Sequence, residues 1–147
     1  MKSLFFLLIF LSAHNTCNQT STLPFIKATS QAYSGGAAGS GYGTYYAVYL
    51  NLPVGTDFQF DSLWVAERKL PVSIKQNESR NDTLVLFAND FRLRRFPNDN
   101  RNLPDDPAPV AFPVTSDAQG ILGYFYNGKR QYFPIITWIK LKPINYP

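Results

Sequence analysis

The chain holds one thiol, Cys17, and one imidazole, His14, both inside the stretch LIFLSAHNTCNQT at residues 8–20. A cysteine beside a histidine is the raw material of a nucleophile, provided that a neighbouring group lowers the thiol pKa. Residues 8–20 contain no acid, lysine or arginine, so nothing around Cys17 activates it. An odd cysteine in an exported chain otherwise forms an intermolecular disulfide or stays free. Its position says more than its reactivity.

Met1-Lys2-Ser3 opens the chain with a positive charge, residues 4–11 (LFFLLIFL) are wholly apolar, and Ser12-Ala13 follow. A charged start, a short apolar run and small residues make the pattern of a secretory signal. Eight apolar residues are too few to span a bilayer, which takes about 20. A buried helix would show an amphipathic period, and this run has none. Residues 1–16 are therefore expected to be a cleaved signal peptide, with Cys17 just past the cut.

In this placement of Cys17 the sequence resembles a bacterial lipoprotein signal, in which the cysteine after the cut becomes the lipidated first residue. His14, Asn15 and Thr16 stand where such signals usually carry Leu and then a small residue. The resemblance implies that Cys17 is lipidated, that residues 17–24 form a tether, and that the protein is exported to the bacterial cell envelope, periplasm or outer membrane. Acyl chains, at about 0.8 kcal/mol per buried methylene, would hold it on the membrane.

Residues 17–147 then contain no histidine and no methionine, and only two glutamates, Glu67 and Glu78, beside eight aspartates. Ser-His-Asp triads, Cys-His dyads and histidine-bearing zinc sites are excluded, along with the side chain best suited to proton transfer near neutral pH. Hydrolysis by two converging carboxylates is the enzyme class left. The inventory favours a protein that is not an enzyme and implies no cofactor. The formal net charge is +4, one less without Lys2. That is too weak and too dispersed for nucleic acid as a partner.

Four groups of residues invite a binding role. Arg92, Arg94 and Arg95 could grip an acidic glycan or lipid headgroup, although arginines alternating with Phe and Leu are more often the wet face of a strand. Asp99, Asp105 and Asp106 offer oxygen ligands for calcium, but without the glycine and terminal glutamate of a calcium loop. Trp138, with Lys140 and Lys142, and Tyr124 and Tyr126, on the same side of a hairpin as Gln131, could form an exposed platform for sugar rings or an envelope protein. Asn18, Asn77 and Asn81 begin N-x-Ser/Thr sequons, read here as chance occurrences in polar loops. The five glycines of residues 34–43 lack the strand–helix context and lysine of a phosphate loop.

The elements that must position these groups are short strands. Residues 44–52 (TYYAVYLNL) alternate, with Tyr46, Val48, Leu50 and Leu52 on one face and Tyr45, Ala47, Tyr49 and Asn51 on the other. Weaker strand signals cover residues 25–33, 58–65, 70–74, 83–88, 91–96 and 136–141, with an edge strand at 110–114. Trp64 is assigned to the core beside Phe58, Phe60, Leu63 and Val65. Residues 121–126 and 129–135 flank Asn127-Gly128, the pair a type I′ turn favours, which sets Tyr126 opposite Lys129 and Leu122 opposite Phe133. Twelve Phe, nine Tyr, eleven Pro and nine Gly suit many strands joined by turns. The expected fold is all-β: residues 25–147 as a single antiparallel β-sandwich, immunoglobulin-like, of seven to nine strands with a C-terminal Asn-Gly hairpin.

With Cys17, AYSGG followed by GSGYGTYY, FDSLWV and LPV, DTLVL and the terminal YFYNGKRQYFPI, the chain resembles small exported lipoproteins of the Bacteroidota kind. That resemblance implies an envelope lipoprotein with one β domain and brings no activity. The functional expectation is a lipid-anchored binding or structural protein, with a carbohydrate-binding module and a carboxylate hydrolase as alternatives.

Overall fold

The computed structural model describes residues 23–36, 41–52, 57–76, 83–95 and 105–147. These form ten strands and no helix: β1 (Phe25–Gly35), β2 (Gly41–Leu50), β3 (Phe58–Val65), β4 (Arg68–Pro71), β5 (Ser73–Gln76), β6 (Leu84–Leu93), β7 (Gly120–Tyr126), β8 (Lys129–Ile135), β9 (Ile139–Lys140) and β10 (Ile144–Tyr146). The larger sheet runs β10-β1-β2-β6-β5, with β9 also on β1, and the smaller runs β4-β3-β7-β8. All pairs are antiparallel except β1–β9 and β1–β10.

One core fills the space between the sheets. Tyr46, Val48 and Leu50 of β2 and Leu84, Leu86 and Ala88 of β6 meet Leu63, Val65, Leu122, Tyr124 and Ile135 of the smaller sheet. Burying each large aliphatic here is worth about 1.5–3 kcal/mol. The alternation expected for residues 44–50 is the one observed. Leu23, just before β1, is also buried in this core, so the packed domain begins ahead of its first strand.

In β3 the apolar phase slips: Phe58 and Phe60 fall on even positions, Leu63 and Val65 on odd ones. A bulge between Phe60 and Ser62 absorbs the extra residue, so all four aim at the core. Trp64 consequently points outward. It is buried, as expected, but with Ala118 and Ile121 in a second cluster on the opposite side of the smaller sheet.

The β7–β8 hairpin has the expected register, Tyr126 opposite Lys129 and Leu122 opposite Phe133, and Asn127 and Gly128 both have positive φ, 49° and 71°. The β3–β4 turn uses the same geometry at Ala66 and Glu67, φ 49° and 58°. Neither residue favours that region, which costs about 1–2 kcal/mol per side chain with a Cβ, and the turn therefore gave no local signal.

Four expected elements differ. Residues 70–74 are not one strand, because the chain leaves the smaller sheet after Pro71 and joins the larger one at Ser73. The two strands expected at 83–88 and 91–96 are one continuous β6. Residues 110–114 form no strand and instead cross the Trp64 cluster. The closing strand is reduced to β9, because residues 136–138 carry the chain from the smaller sheet to the free edge of β1.

Candidate binding face

The outward face of the larger sheet collects the rings that alternation keeps out of the core. Gln31, Tyr45 and Asn89 are register partners across β1, β2 and β6, as are Tyr33, Gly43 and Phe91 one step along. Two glycines of β2 let rings lie against the backbone. A Cβ on Gly41 would overlap the Phe91 ring, and one on Gly43 would come within 2.8 Å of the Tyr33 hydroxyl. Tyr33 is itself buried beneath Tyr45, with centroids 4.2 Å apart and planes 19° apart, so Tyr45 and not Tyr33 is the ring presented there. Phe87 follows Tyr45 at 5.4 Å, and Tyr146 of β10 meets Tyr33 edge-on at 6.4 Å. Tyr146–Tyr33–Tyr45–Phe87 thus runs across four adjacent strands, with Phe91, 49% exposed, beside it.

Polar groups fix this row. The Tyr33 hydroxyl donates to Asn89 Oδ1 at 2.9 Å, and Gln31 Nε2 donates to the Lys142 carbonyl at 2.9 Å. Lys27 Nζ lies 4.8 Å from the Tyr49 ring centre and Lys75 Nζ 4.4 Å from that of Phe87, within cation–π range. Desolvation raises the Tyr33 pKa above 10.0, only partly opposed by the hydrogen bond to Asn89. Desolvation and then the Tyr146 hydrogen bond raise that of Tyr45. Both phenols stay neutral hydrogen-bonding groups at physiological pH. The rings left partly or fully exposed, Tyr45, Phe87, Phe91 and Tyr146, bordered by amides and ammonium groups, suit the apolar faces and hydroxyls of sugars.

Two other constellations are tied up internally. Asp90, buried on the inner face of β6 near its C-terminal end, faces Arg68 of the other sheet at 3.5 Å and Arg92 at 3.3 Å, an ion-paired clasp between the sheets. Beside it, desolvation and then the Asp90 charge push the Tyr46 pKa up, against the Thr44 hydrogen bond and the Arg92 charge. On the outer face of the smaller sheet, the Arg130 guanidinium lies 4.8 Å from the Phe125 ring centre, 5.3 Å from Tyr132 and 5.7 Å from Trp64. Burial lowers the Arg130 pKa, and the 2.7 Å bond to Asp61 with the Tyr132 contact more than offsets it.

The platform expected from the sequence is not exposed. Tyr124, Tyr126 and Gln131 do share a side, but it is the inner side, and Tyr124 is 4% exposed. Burial raises its pKa. Trp138 is 8% exposed because, as the exposed residues 136–137 lead the chain from the smaller sheet to the edge of the larger one, its ring turns inward and meets Tyr46 edge-on at 5.0 Å. Only Tyr126 of the three aromatics is exposed, stacked on Phe58 at 4.5 Å. Arg92 is engaged by Asp90, Arg95 pairs with the exposed Asp105 at 3.4 Å, and Arg94 is half-buried. Asp106 is exposed. Cys17, Asp99 and the sequon residues Asn18, Asn77 and Asn81 lie outside the described residues.

The rings of the larger sheet were missed because Tyr45 and Tyr49 read only as the non-core side of a strand, and because Tyr33, Phe87 and Tyr146 are brought together by pairing between distant segments. The available signal was two tyrosines alternating with core residues in TYYAVYL. No protein-family model matches the chain, and no curated protein or solved structure matches it significantly.

Proposed function

We propose that this chain is a lipid-anchored, non-enzymatic binding protein of the bacterial cell envelope, and that its ligand is a glycan held on the aromatic face of the larger sheet. The observation that carries the ligand class is the ring row Tyr146–Tyr33–Tyr45–Phe87 with Phe91 beside it, bordered by Gln31 and Asn89. The lipoprotein-like placement of Cys17 supports the anchor. The engagement of Asp61, Asp90 and Asp105 in ion pairs with arginines leaves these carboxylates occupied within the fold, which favours binding over carboxylate hydrolysis.

The strand order supports an immunoglobulin-like assignment for the sandwich. β1-β2-β6-β5 facing β4-β3-β7-β8 follows the A-B-E-D and C′-C-F-G order of that Greek key. The parallel β9 and β10 on β1 would then be an addition at the sheet edge.

Affinity electrophoresis through soluble cellulose, xylan and glycol chitin, with pull-down on peptidoglycan sacculi, tests the ligand class. Retardation or capture that is lost in Tyr45→Ala and Phe91→Ala, with both variants folded, is the expected result. Equal mobility of all forms on every matrix rejects glycan binding. Intact mass of the membrane-derived protein beside Cys17→Ser tests the anchor: acyl mass on a chain starting at Cys17, absent from the variant, is expected.

A further inference from the structure

The strands give the sandwich two distinct ends. β1, β3, β6 and β8 begin at one end, and β2, β5 and β7 finish there. The chain enters the fold at this end and is fastened at once. Leu23 is buried, Phe25 N donates to the Leu23 carbonyl at 2.8 Å, and Asn51 N donates to the Pro24 carbonyl at 2.8 Å.

The same end exposes apolar and aromatic side chains. A bulge between Phe25 and Lys27 displaces Ile26 from the β1–β2 register, leaving it 50% exposed. Phe25 is exposed beside it and tilted against Phe133 at 5.1 Å. At the β7–β8 turn Tyr126 is exposed over Phe58, and Phe58 stacks on Phe60 at 6.0 Å. Exposed Lys27 follows Ile26 in the chain, with its ammonium over Tyr49, and exposed Lys129 is the register partner of Tyr126. Apolar and aromatic side chains with a polar tip, flanked by lysines, are the composition that settles at a membrane–water interface.

We propose that this end of the sandwich rests on the lipid surface, with Ile26, Phe25 and Tyr126 at the headgroup boundary and Lys27 and Lys129 on anionic lipid. The inference rests on the lipid-anchor reading of Cys17 and deepens it by giving the domain an orientation. Chain length selects lipid over other occupants. From Cys17 to Leu23 the backbone reaches about 20 Å at full extension, whereas the eleven residues of β1 alone span about 35 Å at the usual strand rise. An anchor at Cys17 keeps the entry end within reach of the bilayer and holds the far end, with Arg92 and Tyr146, away from it. The glycan face would then stand upright on the membrane, its rings open sideways.

The lipidated chain has no other thiol, so a single label can be placed at will. Asp57→Cys marks the entry end and Lys142→Cys the strap beyond β9. Each is labelled with a fluorophore and reconstituted in phosphatidylethanolamine–phosphatidylglycerol vesicles carrying a nitroxide-headgroup lipid. Several-fold stronger quenching at position 57 than at 142, abolished by adding Ile26→Ser and Tyr126→Ser, is the expected result. Equal quenching at both positions in a preparation whose mass shows the acyl group overturns the seat while leaving the anchor standing. Absence of acyl mass removes the anchor and the seat with it. Position 57 shielded only at high protein density, without nitroxide quenching, overturns the lipid surface in favour of a second copy of this chain.

Discussion

The outward faces of the two sheets begin from the same ingredients and end differently. Each carries aromatic rings laid over a glycine: Tyr33 over Gly43 on the larger sheet, Trp64 over Gly123 on the smaller, where an added Cβ would lie 2.6 Å from the indole. On the smaller sheet the chain closes over its rings. The strap before β7 lays Phe112 and Ala118 against Trp64 and Ile121, and Val110 N donates to the Glu67 carbonyl at 2.7 Å to hold it there. Lys69, 5.2 Å from the Trp64 ring centre, and Arg130 cover what remains. On the larger sheet the described residues supply no such strap: Tyr33 is buried only by its neighbouring rings, and Tyr45 and Phe87 above it stay half-buried. Rings of one kind make a second core where the connection covers them and a surface where it does not.

Equal responses of the two faces to truncation would break this comparison. Trp64→Ala is expected to cost about 3–5 kcal/mol, the usual range for emptying a buried aromatic site, whereas Tyr45→Ala costs well under half as much. Urea unfolding of both variants measures the difference. Gly123→Ala comes next, at about 1–3 kcal/mol for overpacking, because Trp64 cannot lift away from the added methyl while Phe112 and Ala118 hold it down. Relief of that cost in the Phe112→Ser background would confirm the strap as the cause. Phe112→Ser alone should cost about 1–2 kcal/mol of lost burial and make tryptophan emission red-shifted and more accessible to acrylamide.

The smallest effect at neutral pH, and one confined to alkali, concerns the phenols. Burial raises the pKa of Tyr33, Tyr46 and Tyr124 above 10.0 in the folded state. A phenol whose folded pKa exceeds its unfolded one binds its proton more tightly when folded. Stability is therefore unchanged below about pH 10 and falls as pH rises through the folded values. Unfolding midpoints taken from pH 7 to 11, beside the tyrosinate absorbance of wild type and Tyr33→Phe, check the sign; a midpoint that rises above pH 10 would reverse it.

Much of the local structure was legible. Alternation in residues 44–52 assigned the right side chains to the right faces of β2, and Asn127-Gly128 located a hairpin whose register holds along all of β7 and β8. Both signals are short-ranged, depending only on backbone period and on which residues accept positive φ. The β3 bulge was not legible, because a change of phase between Phe60 and Leu63 reads equally as a strand break. The β3–β4 turn was hidden for the opposite reason, since Ala66 and Glu67 adopt a conformation neither favours.

The hairpin also marks where local reading stops. Alternation put Tyr124, Tyr126 and Gln131 together and left open which side met the other sheet. Trp138 shared that ambiguity until the crossing of residues 136–138 buried it. By itself the sequence determined the strand-rich class, the period of β2 and of the β7–β8 hairpin, the tight turn at 127–128 and the absence of histidine after residue 16. Which face of each sheet is covered, and so which tyrosines are core and which are surface, was decided by tertiary structure alone. Period is a property of consecutive residues, whereas burial depends on segments a hundred positions apart arriving at the same place.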